Sequence, residues 1–232
     1  MRAEGIVASM AFDVVHAADL QWDEREPMYG QAPRSQASVT DPAQLTQSRA
    51  RMWRYPAHTR GRRHIDPNQE EIFVPLRGTL TLLVEDPPQR VDVEPGGIVA
   101  SMAFDVVHAG DLPWDEREPM HGQAPRSQAS VTDAAQLTQS RARMWRYPAH
   151  TRGRRHIDPN QEEIFVPLRG TLTLLLEDPP QRVDVEPGGI VAVHSGTPMQ
   201  ARNETDEEIV FFAYGAPPVS GGAEFLDDVE HA

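Results

Sequence analysis

Residues Gly5–Gly96 return almost unchanged as Gly97–Gly188, an offset of 92 residues with five differences: Ala18/Gly110, Gln21/Pro113, Tyr29/His121, Pro42/Ala134 and Val84/Leu176. A period this long exceeds a solenoid repeat and approaches a small domain, so each copy has to be judged as a core of its own. The tetrapeptide Gly-Ile-Val-Ala opens at Gly5, Gly97 and Gly189, but only after the third occurrence does the chain run on into two further strand-like segments, within Gly189–Ala216. The chain therefore divides into an incomplete copy one (residues 1–96), a complete copy two (97–216) and a C-terminal tail (217–232).

The completing hairpin is predicted to close copy two. Closing copy one would lengthen the intervening loop, at a cost of roughly 2.5 kcal/mol. Copy one then keeps an open sheet edge, and such edges pair with other chains, so a homodimer or segment exchange is expected. The segment Gly97–Leu112 is expected to serve twice, ending the sheet of copy one and supplying the first strand of copy two. A fragment beginning at Met102 is expected to fold as a stable, soluble unit.

Short apolar runs separated by turn signals dominate copy two: Phe104–Val107, Arg143–Tyr147, Ile164–Val166, Thr171–Leu176, Val183–Val185, Ile190–Val193 and Ile209–Tyr214. Asp178-Pro179-Pro180, Pro187-Gly188-Gly189 and Ser195-Gly196-Thr197-Pro198 mark turns between them. This spacing predicts an all-β sandwich or barrel. One helical turn is expected near Ala134–Arg141, a loop or arm over Asp111–Thr132, and a loose tail with Phe225 and Leu226 touching the surface.

Cysteine is absent, which excludes disulfides, zinc-thiolate sites and cysteine nucleophiles. Lysine is absent too, and 22 arginines face 35 acids for a net charge of −13, which opposes a nucleic-acid footprint. A salt-rich cytosol and the codon bias of a GC-rich genome both account for this composition. The apolar run Gly5–Phe12 is too short for a signal peptide or a membrane span, so a cytoplasmic protein is expected. There is no Gly-x-Gly-x-x-Gly, no P-loop and no Gly-x-Ser-x-Gly elbow to make a hydrolase triad of His194, Ser195 and Asp206.

In an extended strand His156 and Asp158 project from one face, as do Glu163 and Phe165. If that face is interior, an imidazole, two carboxylates and an aromatic ring share a pocket. Arg152, Arg154 and Arg155 with His150 could grip an anion at its mouth, or simply pair with surface acids.

The segment Gly153–Gly170 resembles the first motif of the cupin superfamily. His156, Glu163 and Gly170 stand at the matching places, and Asp158 occupies the second histidine position. In the second motif Gly196 and Asn203 match, while Met199 stands where the family has histidine. The resemblance covers residues 143–216 and implies a double-stranded β-helix barrel, complete in the C-terminal copy and incomplete in the N-terminal one. It also implies a small-molecule pocket of His156, Asp158, Glu163, Phe165 and Met199, with an incomplete counterpart at His64, Asp66 and Glu71. Family members bind a divalent metal through three His and one Glu. With two of those four kept, the leading expectation is a binding module whose metal site has decayed and which needs no cofactor. The alternative is a metal-dependent enzyme, a dioxygenase or an isomerase, holding Fe, Mn, Ni, Cu or Zn through His156, Asp158 and Glu163, ions for which Met199 is a poor fourth ligand apart from copper.

Overall fold

The computed structural model describes residues 7–8, 11–27, 30–64, 66, 68–85, 87–101, 105–108, 110–119, 122–219 and 222–229. Copy one supplies β1 (Val7–Ala8), β2 (Phe12–His16), β3 (Asp23–Arg25), β4 (Arg34–Ser38), β5 (Arg51–Arg54), β6 (Glu71–Phe73), β7 (Leu80–Val84) and β8 (Gln89–Val93). Copy two opens with β9 (Gly97–Ser101), β10 (Asp105–His108), β11 (Asp115–Glu116), β12 (Ser127–Ser130), the helical turn α1 (Val131–Ala134), β13 (Arg141–Tyr147) and β14 (His156–Ile157). It continues with β15 (Glu162–Arg169), β16 (Leu172–Leu176), β17 (Gln181–Val185), β18 (Gly189–Val193), β19 (Met199–Arg202) and β20 (Ile209–Ala216), and β21 (Glu224–Phe225) lies in the tail.

Copy two is built as two facing sheets. One runs β1-β2-β18-β15-β20-β13-β12-β11 and the other β17-β16-β19-β14-β21. The strand runs read from the sequence fall on strands, apart from Phe104, which lies outside the described residues, because their β-branched, aromatic and leucine residues fill a pleated, buried surface. Strand β16 is buried at every position, which is why its sequence is a continuous apolar run rather than an alternation. The architecture is the expected double-stranded β-helix, with one correction: among the described residues no strand pair joins the two sheets, so the barrel is not closed by hydrogen bonds.

Two motif residues have structural work. A Cβ on Gly170 (φ +74°) would lie 2.6 Å from Ile209 Cγ2, so the turn after β15 admits only glycine. Asn203 donates from Nδ2 to the carbonyls of Tyr147, Pro148 and Glu207 at 2.7–2.9 Å, tying the ends of β13 and β20 together.

Two cores result. Inside copy two, Phe12, Val14, Tyr147, Phe165, Leu172, Leu174, Leu176, Met199 and Phe211 pack between the sheets. The second core lies between the copies, where Ile164, Val166, Ile190, Ala192 and Phe212 meet Val39 and Met52 of copy one and Ile98 and Ala100 of β9, the strand that joins the copy-one sheet. Reciprocal carboxylates flank it. Glu162 Oε2 accepts from the Thr46 amide of copy one at 2.8 Å, and Glu70 Oε1 accepts from the amides of Thr138 and Gln139 of copy two. Glu70 and Glu162, like Thr46 and Thr138, are equivalent positions 92 apart, so the copies face each other about a pseudo-two-fold axis.

The first strands are exchanged across that axis. Strand β2 of copy one pairs with β18 of copy two, from Gly189↔His16 to Val193↔Phe12. Its equivalent, β10, pairs with β9 and extends the sheet of copy one, β10-β9-β6. The double role expected of Gly97–Leu112 is therefore corrected. Strand β9 does join the copy-one sheet, but β10 stays with it as its edge strand and copy two receives its first strand from β2. The reason is local: only three residues separate β9 from β10, so the hairpin closes at little entropic cost.

Copy one lacks equivalents of β19 and β20. Its sheets fall into β3-β4-β5, β6-β9-β10 and the pair β7-β8. Three smaller expectations also change. The helical turn lies at Val131–Ala134 rather than Ala134–Arg141, because the Ser130 hydroxyl caps the Asp133 amide and starts it early. The arm Asp111–Thr132 contains β11 and β12, the outermost and next strands at one side of the larger sheet, short and polar with no apolar alternation to announce them. The tail is anchored: β21 pairs with β14, and Arg155 N donates to Asp228 Oδ1 at 3.0 Å. No helix among the described residues is long and apolar enough to cross a membrane.

Candidate functional site

Strand β14 places His156 between two neighbours, opposite Met199 on β19 and opposite Phe225 on β21. The ring is oriented from behind: Nδ1 lies 3.0 Å from the Arg154 carbonyl, which makes Nδ1 the donor and turns Nε2 inward. There Nε2 sits 3.7 Å from Asp158 Oδ2 and 3.8 Å from Glu163 Oε2. The three side chains offer ligand atoms all within 4.8 Å of one another, the one such group among the described residues. Asp158 is held by its own carbonyl, which accepts from Gly196 N at 2.8 Å, and Glu163 is fixed by the pairing of β15 with β18 and β20.

The charges are unevenly satisfied. Glu163 Oε2 is buried without a hydrogen-bond partner. Burial pushes the Asp158 pKa up, with the Glu163 charge adding, against the opposing charges of His156, Arg141 and Arg143. Burial alone would lower His156, but Glu163, the Arg154 carbonyl and Asp158 outweigh it and hold the imidazole above its ordinary value.

Phe165 and Met199 are both buried in the apolar interior of copy two, 4% and 2% exposed, with Met199 packed among leucines and aromatic rings. Of the arginine group, Arg155 lies 3.7 Å from Asp178, Arg152 lies 3.8 Å from Asp228, and Arg154 stacks on Phe225 with its guanidinium carbon 3.5 Å from the ring centre. His150 pairs with Asp206 at 2.9 Å. These residues pin loops and the tail.

Sequence reading missed two features. Arg143 lies on the same face of β13 as Trp145 and Tyr147, half-buried, close enough to Glu163 to feel its charge and with no hydrogen-bond or ion-pair partner among the described residues. Burial, helped by Arg141 and Arg117, lowers its pKa. The i, i+2 rule carried one step back from Trp145 along β13 would have found it. The second is Asp13, fully buried on the exchanged strand, 3.0 Å from His194 Nε2 and in reach of Gln44 Nε2. No sequence signal joins residues so far apart.

In copy one His64 keeps its Arg62 carbonyl contact at 3.1 Å and lies 3.7 Å from Glu71, but its side chain is 60% exposed against 22% for His156. Asp66 adds charge from nearby, without joining a three-ligand group.

The sequence matches the cupin domain family over residues 143–214. No curated protein matches it. Among solved structures, an oxalate decarboxylase of Lactobacillus farciminis superposes with a TM-score of 0.64 at 9% identity, over 95% of this chain and 89% of that one. A predicted oxalate decarboxylase of Thermotoga maritima (TM-score 0.43, 16% identity, 48% of this chain and 98% of that one) is also similar. So is the polyketide cyclase RemF of Streptomyces resistomycificus (TM-score 0.45, 18% identity, 53% and 86%). The first of these spans both copies, so the two-copy fold itself has a solved counterpart. Residues 143–214, which hold His156, Glu163, Gly170 and Asn203, form a cupin domain, and the fold of the chain is that of the cupin superfamily.

Proposed function

We propose that copy two binds a small anionic molecule, with a divalent transition-metal ion held by His156, Asp158 and Glu163. The observation that carries this reading is the buried, unpartnered Glu163 Oε2 converging with two other ligand side chains inside 4.8 Å. A carboxylate oxygen without a hydrogen bond is costly to bury, and a cation is the partner that the neighbouring imidazole and carboxylate would share. One nitrogen and two carboxylates suit iron, manganese or zinc better than copper. Bound there, such an ion would act as a Lewis acid toward a ligand oxygen. The protein's own share is orientation. The Arg154 carbonyl keeps His156 Nε2 pointing inward, and Arg143 presents a guanidinium to the anion from β13.

Calorimetric titration of the metal-stripped protein with Mn²⁺ or Zn²⁺ tests the reading. One ion per chain is expected rather than two, with binding lost in His156→Gln and Glu163→Gln; acetate binding to the loaded protein should weaken in Arg143→Gln. A second reading, a decayed site in which a protonated His156 is clasped by both carboxylates, is favoured by the raised His156 pKa and by Met199 in the fourth position. Absence of metal binding in the unaltered protein would select it.

A further inference from the structure

In copy two β20 lies between β13 and β15, paired from Arg141↔Gly215 to Tyr147↔Ile209 on one side and from Glu162↔Ala216 to Arg169↔Val210 on the other. The equivalent strands of copy one, β5 and β6, belong to separate sheets, and among the described residues neither pairs on the side where that strand would lie. The opposite sheet is cut the same way, since β16 pairs with both β17 and β19 while β7 pairs with β8 alone. Over the face of β3, β4 and β5, on the side where that strand is missing, opens a cavity of about 550 Å³ lined by Trp53, Tyr55, Arg34, Arg51 and His64, with Glu24 and Glu26 at its charged margin. Trp53 and Tyr55 are 39% and 41% exposed there. In copy two the ring of Phe211 lies 6.5 Å from Trp145 and 5.1 Å from Tyr147, covering the same pair.

We propose that copy one is an acceptor for an extended segment donated by another polypeptide, which adds as a strand between β5 and β6. The structure holds the occupant's template in the twin slot, whose flanking strands β13 and β15 match the corresponding stretches 49–55 and 70–77 of copy one residue for residue. The occupant must therefore follow the pattern Phe211-Phe212-Ala213-Tyr214-Gly215: uncharged, aromatic toward Trp53 and Tyr55, aromatic on the opposite face, and ending in glycine. Glycine is needed because a Cβ at Gly215 would fall 2.4 Å from the Gln161 side chain, and Gln69 stands at the equivalent place in copy one. A second copy of this chain is a poor donor. Each chain carries two slots and one such hairpin, so every hairpin handed over empties another slot, whatever the number of chains. The donor brings a strand without a slot of its own.

A synthetic peptide of the sequence Thr197–Ala216, titrated onto the full chain and followed by hydrogen exchange, tests this. Saturation at one peptide per chain is expected, with exchange at Arg51–Arg54 and Glu71–Phe73 slowed at least about tenfold, as strand pairing protects amides. A peptide carrying Val210→Pro and Phe212→Pro should lose binding by at least about tenfold, because proline cannot donate to a ladder. No protection at β5 and β6, or protection confined to β13 and β15, overturns the proposal. So does self-association of the free protein, seen by light scattering, that the peptide fails to compete.

Discussion

Leu175 is 1% exposed and its equivalent Leu83 is 64%; Tyr147 is 3% exposed and Tyr55 is 41%. These pairs share residue type and position in the repeat, with Val84/Leu176 the nearest sequence difference, and what separates them is the strands alongside: β19 beside β16 and β20 beside β13. The chemistry follows the same division. His156 is enclosed with two carboxylates while His64 stands mostly in water. Burial, and with it the capacity to perturb a side chain, is conferred here by the strand next door and not by the residue's own surroundings in sequence.

The strongest way to break the comparison is to remove copy one. A fragment beginning at Met102 would expose Ile164, Val166, Ile190, Ala192 and Phe212, the inter-copy face. It also lacks Phe12–His16, though it carries the same five residues at Phe104–His108. The expected product is a two-fold dimer in which each chain covers the other's face, read as a doubled mass by light scattering. A stable monomer would mean that the inter-copy face needs no cover.

Next in size is the leucine pair. Leu175→Ala should lower stability by about 2–5 kcal/mol in denaturant titration, as large-to-small changes in a filled core do. Leu83→Ala should change it by no more than about 0.5 kcal/mol, the range of a surface substitution. Equal effects would show that copy one is closed in solution.

The reciprocal carboxylates come third. Glu70→Ala and Glu162→Ala should each cost about 1.5–3 kcal/mol, the range of hydrogen bonds to a charged group. A marked inequality would break the pseudo-two-fold relation between the copies.

The pH dependence at His156 is the smallest effect, about 1.4 kcal/mol per pH unit at most. A metal must displace the proton from Nε2, so affinity should climb as pH rises, up to the raised pKa and thus beyond the ordinary histidine range. The metal-free protein should move the other way. Because the folded-state pKa is raised, this histidine's contribution to stability is complete below about 6.5 and disappears as pH rises through the raised value. Midpoints of the free and loaded protein, measured against pH, should therefore diverge.

Much of this was legible in the residues. Runs such as Thr171–Leu176 and Ile209–Tyr214 could be read as strands because β-branched and aromatic patterning carries that signal locally. The convergence of His156, Asp158 and Glu163 was legible because period-two projection and the spacing of a known motif act over a few residues. One hairpin for two copies is likewise a matter of counting along the chain. The strand exchange was not legible, since Phe12–His16 and Phe104–His108 are the same five residues and no pattern distinguishes which sheet each joins. The hairpin link does not distinguish them either, since β1 and β2 are paired in the same register as β9 and β10; only the packing of one copy on the other separates those alternatives. The buried pair of Asp13 with His194 follows from that packing. Local sequence set what each segment could become; partners brought from distant parts of the chain decided what each one buries.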